Sequence, residues 1–478
     1  MINKTLILLI CWLCSINAIA NTLYMPEGYV NAEVLEFIGV LNSGEQPVEA
    51  KCTFYYEDGR NLSIPFVFPA KQRSTIIPTE VGVDFDTPFA TVITAEQNLT
   101  ATLIHYDHGN ALGENFSTTT STVWSLVGSY RDDQVRDFLT IYVTTDDEVE
   151  IGITTYPTYG GPTALDEIRD STIYLKSEGR RRISIPLHEL ITNDNHGCCR
   201  KTPYGIVVKA TKPIVAALSH YDNNMQGGYL IMGIPSLGAD HGYIAEGFMN
   251  SGIIESLNFM TTHSRNSSGS RSFILKVHYT DGLVVELNAN RLVNHVGNQV
   301  NIWLKNEENA NGYSELSLRE NIGYWIEYQV KDSYEWNKGN PVPVAANFVH
   351  TDHGGINGSH FVSQPAKVWE FAEGYRSSER DNVHEHLLIV NPDRDVTATV
   401  KILIYYDDGL EPTELEYTIE PEKKIGVALH ANEALREAHP SGGISYGIRI
   451  ESDVAVVPYL THYDFILQGS FALNGTPY

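Results

Sequence analysis

Four times along the chain a histidine stands two residues before an aspartate: His105 and Asp107, His220 and Asp222, His350 and Asp352, and His462 and Asp464. Residues i and i+2 of a strand face the same side, about 6–7 Å apart along the backbone, so each pair can share a ligand or a hydrogen bond. Two of the four add a second histidine, His108 and His353, and His360 follows the latter closely. Three such nitrogen and oxygen donors could hold zinc or a similar ion, which would make these runs a metal-binding module or the centre of a metal-dependent hydrolase. The other two runs carry Asn223 and Phe465 at that place, so a metal is not the common reason for the motif. A carboxylate that orients a histidine, which in turn caps loop backbone groups, serves all four. The expectation is therefore a structural motif at His220, Asp222, His462 and Asp464, with metal as the rival use of His105, Asp107, His108, His350, Asp352, His353 and His360. No catalytic residue and no cofactor are expected, with Ca2+ or Zn2+ as the alternatives.

Other chemistry-bearing patterns are weaker. Gly443-Ile444-Ser445-Tyr446-Gly447 has the spacing of a hydrolase nucleophile elbow, but Ile448-Arg449-Ile450 continues as strand where that elbow needs a helix. His384-Glu385-His386 lacks the two-residue gap of a zinc protease helix and reads as an alternating strand start. Tyr334 and Trp336 sit in a lengthened loop, Lys331 to Asn340, and offer two rings to a glycan or a protein partner.

The elements that must position these residues are strands. Short alternating or wholly apolar runs rich in Val, Ile, Thr and Tyr are bounded by Gly, Pro, Asn and Asp throughout. Asn432 to Ala438 and Leu187 to Ile191 read as single-turn helical crossovers. Tyr446 to Glu451 and Val454 to Thr461 read as consecutive strands turning at Ser452-Asp453, as do Gly205 to Lys209 and Ile214 to Ser219. Asp-Gly at 58–59, 281–282 and 408–409 supplies the positive backbone angles of tight hairpins.

These landmarks recur at sandwich-sized intervals. The expected fold is all-β: four tandem immunoglobulin-like β-sandwich domains, at residues 21–120, 121–240, 241–366 and 367–478, after a signal peptide at 1–20. The leader assignment rests on Lys4, an apolar stretch from Leu6 to Leu13 and the small-x-small pattern Ala18-Ile19-Ala20. With a net charge of −26, one unit more negative once Lys4 is cleaved away, nucleic acid and anionic membranes are poor partners. No later run offers the 18 or so apolar residues of a membrane span. Of five cysteines only Cys52, Cys198 and Cys199 outlast the leader, too few for a disulfide scaffold. The adjacent pair Cys198-Cys199 is expected to be incidental.

Trp369-Glu370-Phe371-Ala372-Glu373-Gly374, then Leu387-Leu388-Ile389-Val390-Asn391-Pro392, then Ile450-Glu451-Ser452-Asp453-Val454-Ala455-Val456-Val457 stand in order in the last unit. Together they resemble the repeat of bacterial secreted and cell-wall proteins with a Trp-x-Phe-Ala-Glu-Gly opening and a Val-Glu-Ser-Asp-x-Pro-Val hairpin. The resemblance implies an exported immunoglobulin-like β protein and names no catalyst. It leaves the closing His-x-Asp unexplained. The functional expectation is a secreted or surface-displayed, non-catalytic structural or adhesive protein with a protein or glycan partner; the sequence does not fix its oligomeric state.

Overall fold

The computed structural model describes residues 21–107, 109–157, 171–190, 202–261, 271–288, 299–306, 315–332, 339–379 and 382–478. The expected leader, His108, Cys198, Cys199, Tyr334 and Trp336 lie outside the described residues.

The described chain is all-β, with the two short crossover helices at Leu187–Leu190 and Glu433–Ala438. The latter is started by Asn432, whose side chain accepts from the amides of Ala434 and Leu435 and so satisfies two donors that the first turn leaves over. Strand ladders group into four stretches of chain, 21–117, 121–234, 239–362 and 366–477, each built as two packed layers. In the first stretch, Asn21–Met25, Phe89–Ala95, Val48–Tyr56 and Asn61–Phe68 form one sheet. Gln72–Ile76, Leu35–Asn42, Thr100–Asp107 and Asn110–Asn115 form the other. Ile38, Val40, Cys52, Phe54, Phe89, Ile93 and Leu103 fill the space between them. The Asp-Gly turns behave as their chemistry demands: Gly59, Gly282 and Gly409 have φ of 92°, 97° and 77°, a region that costs glycine nothing.

One expectation fails. Ser452-Asp453 does not turn the chain: Ile444–Asp464 is a single strand of 21 residues, and so is Thr202–Asp222. The first half of Ile444–Asp464 pairs with Ala398–Tyr406 in one layer, and the second half with Val383–Asn391 in the other. A strand that changes layers needs a local break in register rather than a hairpin. That break lies between Val368 and Ala366 opposite Glu451 and Val456, and between Lys209 and Ile214 in the second stretch. Trp369 and Trp124 sit over these breaks. Their indole N–H groups donate to Val456 O and Ile214 O, both at 2.9 Å, so each ring is buried inside its own sandwich, not between neighbours.

The four stretches close into a ring in which each packs on the next and the fourth on the first. At the centre lie the strands that follow each His-x-Asp: Asn110–Asn115, Gly227–Met232, Gly355–His360 and Gly469–Asn474. Their tips approach too closely for side chains on both sides. A Cβ on Gly469 would lie 2.4 Å from the Ala111 Cβ, and one on Gly227 would lie 2.3 Å from Ile356. Residues of all four tips border one axial cavity of about 370 Å3.

Candidate functional site

Each motif histidine is held by a carboxylate directly opposite it on the neighbouring strand. The cross-strand pairs are Glu36 with His105, Asp137 with His220, Glu255 with His350, and Glu385 with His462. Imidazole Nδ1 lies 3.0, 2.7, 2.8 and 2.7 Å from the respective carboxylate oxygen. All four carboxylates are at most 2 % exposed. Each accepts a second hydrogen bond from a backbone amide of the opening motif, namely Tyr29, Tyr130, Phe248 or Tyr375, at 2.8 to 3.3 Å. A third comes from a tyrosine hydroxyl in three of the stretches: Tyr204 to Asp137 at 2.6 Å, Tyr324 to Glu255 and Tyr446 to Glu385. In the first stretch Phe89 takes the tyrosine's place against Gly28, and Glu36 Oε1 is left without a partner among the described residues.

The sequence reading assigned the orienting role to the aspartate of His-x-Asp, and this is corrected. The orienting carboxylate comes from the adjacent strand, because facing residues of an antiparallel pair are closer than i and i+2 neighbours. A signal for it was present: Glu36, Asp137 and Glu255 each stand seven residues after the aromatic whose amide they accept. The motif aspartate instead closes the hairpin tip. Asp222 accepts from the Asn224 and Met225 amides, Asp464 from those of Ile466 and Leu467, and Asp352 from that of His353. It also receives a tyrosine from the next stretch around the ring, Tyr221 on Asp107 and Tyr106 on Asp464. His105 Nε2 and His350 Nε2 are 3.7 and 4.0 Å from their own motif aspartates.

Electrostatics follow from this geometry. Burial raises the Glu36 and Glu255 carboxyls against the pull of their histidines. Burial also works against a charged His105, but the nearby Asp107 and Glu36 carboxylates outweigh that, and its pKa is pushed up to about 10. His350 and His462 are raised in the same way, by Glu255 and Glu385 acting against burial. His360 does not join His350. It pairs across the ladder with Asn347, is partly buried, and is pushed down to about 4 by desolvation of its ring. His353 sits half-exposed at the tip, 3.5 Å from Asp352 Oδ2. Among the described residues two other groups of three donors lie with their donor atoms within 4.8 Å of one another: Glu246, Glu255 and His350, and His384, His386 and His430. The first is already served by a protein cation. Lys424 Nζ donates to the carbonyls of Ala245 and Gly247 at 3.1 and 3.3 Å beside it.

That lysine belongs to a second repeated device, which lies at the seams of the ring. Register places Arg73, Arg182, Gln299 and Lys424 at one equivalent position, opposite Leu41, Tyr142, Met260 and Val390. Each faces the preceding stretch. Arg73 pairs with Glu373 at 2.6 Å, Arg182 pairs with Glu57 at 2.6 Å, and Lys424 meets the Ala245-Glu246-Gly247 backbone. At the seam between the second and third stretches the opening glutamate is replaced by Gly128, whose missing side chain leaves room for Asn347, and the cation by Gln299. A cleft of about 540 Å3 opens at the first seam, bordered by His105, Asp107, Phe138 and His188. One of about 300 Å3, bordered by His220, Asn301, Trp303 and Thr351, opens at the second. No described helix is long and apolar enough to cross a membrane.

Residues 365–475 match the family model described as Anabaena sensory rhodopsin transducer, a β-sandwich domain. The match falls on the stretch that carries the Trp369–Gly374 opening and the Ile450–Val457 run. Two solved structures are similar at 27 % identity. One, titled Crystal Structure of Thermotoga maritima 1070, is covered over 97 % of its length by 24 % of this chain, with a TM-score of 0.21. The other, titled Anabaena sensory rhodopsin transducer, is covered over 83 % by 20 % of this chain, with a TM-score of 0.16. No curated protein matches the chain. Residues 365–475 are thus the part of the chain that the family model matches.

Proposed function

We propose that the chain is an exported, non-catalytic scaffold: four immunoglobulin-like modules, divided near residues 120, 240 and 366, locked into one ring that presents surfaces to a protein or glycan partner. The observation that carries this reading is that all four buried carboxylates are occupied by the protein's own groups. Each is occupied by a backbone amide and an imidazole, and three also by a tyrosine hydroxyl. A group whose acceptor capacity is spent on its own backbone has little left for a substrate. Exposed catalytic pairs are kept at the expense of stability, whereas these pairs hold the opening segment to the closing strand. The leader-like N-terminus and the charge of −26 support export. The description of the matched family as a transducer fits a partner-binding role better than catalysis.

The test is the effect of replacing each motif histidine on unfolding. Single His105→Gln, His220→Gln, His350→Gln and His462→Gln variants of the full chain are compared by urea denaturation. The scaffold reading expects each to lose about 2–4 kcal/mol, because a buried carboxylate loses its partner. Unchanged or increased stability in any of them would assign that pair to an active site and overturn the reading.

A further inference from the structure

We propose that His384, His386 and His430 form a binding site for a divalent transition metal of the zinc type. His384 and His386 alternate along Val383–Asn391 and share one face, while Glu385 between them points to the opposite side, where it holds His462. His430 reaches over that face from the short helical turn Leu429–Ala431. The donor atoms of the three rings lie within 4.8 Å of one another. Ring centroids are 4.4 Å apart for His384 and His430, and 5.0 Å apart for His386 and His430. Zinc at about 2.0–2.1 Å from each nitrogen needs them roughly 3.4 Å apart, so the stacked His384 and His430 rings, 15° between planes, would turn on binding. All three rings are half-buried, open enough for an ion to enter.

Three features point to a metal rather than to packing alone. His430 Nδ1 is 3.0 Å from the Glu385 carbonyl and 3.2 Å from the Glu385 amide. Donation to the carbonyl, the shorter contact, leaves Nε2 with its lone pair, the outer-sphere arrangement of metal-bound histidines. An all-imidazole set suits zinc, copper or nickel and not calcium or magnesium, which take oxygen. Finally, the chain contains its own control. In the second stretch the same frame holds His188, 3.2 Å from the Asp137 carbonyl and 5.0 Å in ring centroids from Phe138, with Arg136 at the third corner. One histidine thus belongs to the frame, and the other two are additions peculiar to the fourth stretch. From the third stretch, the ring of His353 lies 6.4 Å from that of His384.

The experiment uses untagged full chain, stripped with chelator, and titrates Zn2+ by calorimetry and Co2+ by visible absorption. Wild type is expected to bind one Zn2+ at this site at micromolar concentration or tighter, and to give the intense band of tetrahedral Co2+. The double variant His384→Arg, His386→Phe copies Arg136 and Phe138 and so keeps a frame the chain already folds. It is expected to weaken binding by about 100-fold or more and to abolish the band. His430→Gln, checked for folding by circular dichroism, is expected to do the same and serves if the double variant fails to fold. Absence of binding to wild type, or unaltered affinity and absorption in these variants, would overturn the proposal.

Discussion

The seam between the second and third stretches differs from the other three, and the difference shows how the ring is held. Elsewhere a cation meets the preceding stretch: Arg73 with Glu373, Arg182 with Glu57, and Lys424 beside Glu246. At the second seam both members of the device are gone. Gly128 stands where the glutamate would be, and neither polar atom of Gln299 has a partner among the described residues. Losing one member alone would strand a buried charge, at about 3–5 kcal/mol, whereas losing both removes the desolvation cost along with the attraction. The two changes are readable as one event, and what replaces the charge is shape: the Asn347 amide fills the Gly128 gap and donates to Val127 O at 3.0 Å.

This comparison can be broken by substitution. Arg73→Ala, which leaves Glu373 buried and unpaired, is expected to cost about 3–5 kcal/mol in urea unfolding, while Gln299→Ala costs under about 1 kcal/mol. Equal costs would remove the distinction between the seams. It can be sharpened by pH. His105 has its folded pKa raised to about 10, so its contribution is complete below the unfolded value near 6.5 and is lost as pH rises through 10. His360, and His278, which is buried against the Trp325 ring, are pushed down to about 4, so their contribution is complete above 6.5 and lost as pH falls to 4. Between pH 6.5 and 10 stability is therefore expected to fall with rising pH, His105 contributing on the order of 1 kcal/mol per pH unit, a slope that His105→Gln reduces. The smallest effect concerns the first stretch alone. Phe89→Tyr should give Glu36 Oε1 the hydroxyl its counterparts have and add about 1 kcal/mol; a loss would mean that the added oxygen does not fit.

The all-β character and the recurrence of the histidines were legible in the sequence, because strand periodicity and Asp-Gly turns are local signals. The long strand Ile444–Asp464 was not, since a change of layer needs only a register break, and Ser452-Asp453 imitates a turn. Nothing local says that Tyr106 ends on Asp464 of another stretch. The partner carboxylates were hidden for a related reason. Glu36 and His105 are 69 residues apart, and only pairing brings them together. The same holds for His430, which joins His384 and His386 through a crossover that the sequence marks only as helical.

The close central tips have one further consequence. Because Gly469 leaves room for Ala111, Gly227 for Ile356, and Gly128 for Asn347, each stretch carries the imprint of the particular neighbour that follows or precedes it. The copies have ceased to be interchangeable, and their cyclic order is written into the volumes they leave empty. A shuffled chain with two stretches exchanged would retain every sandwich and lose the closure.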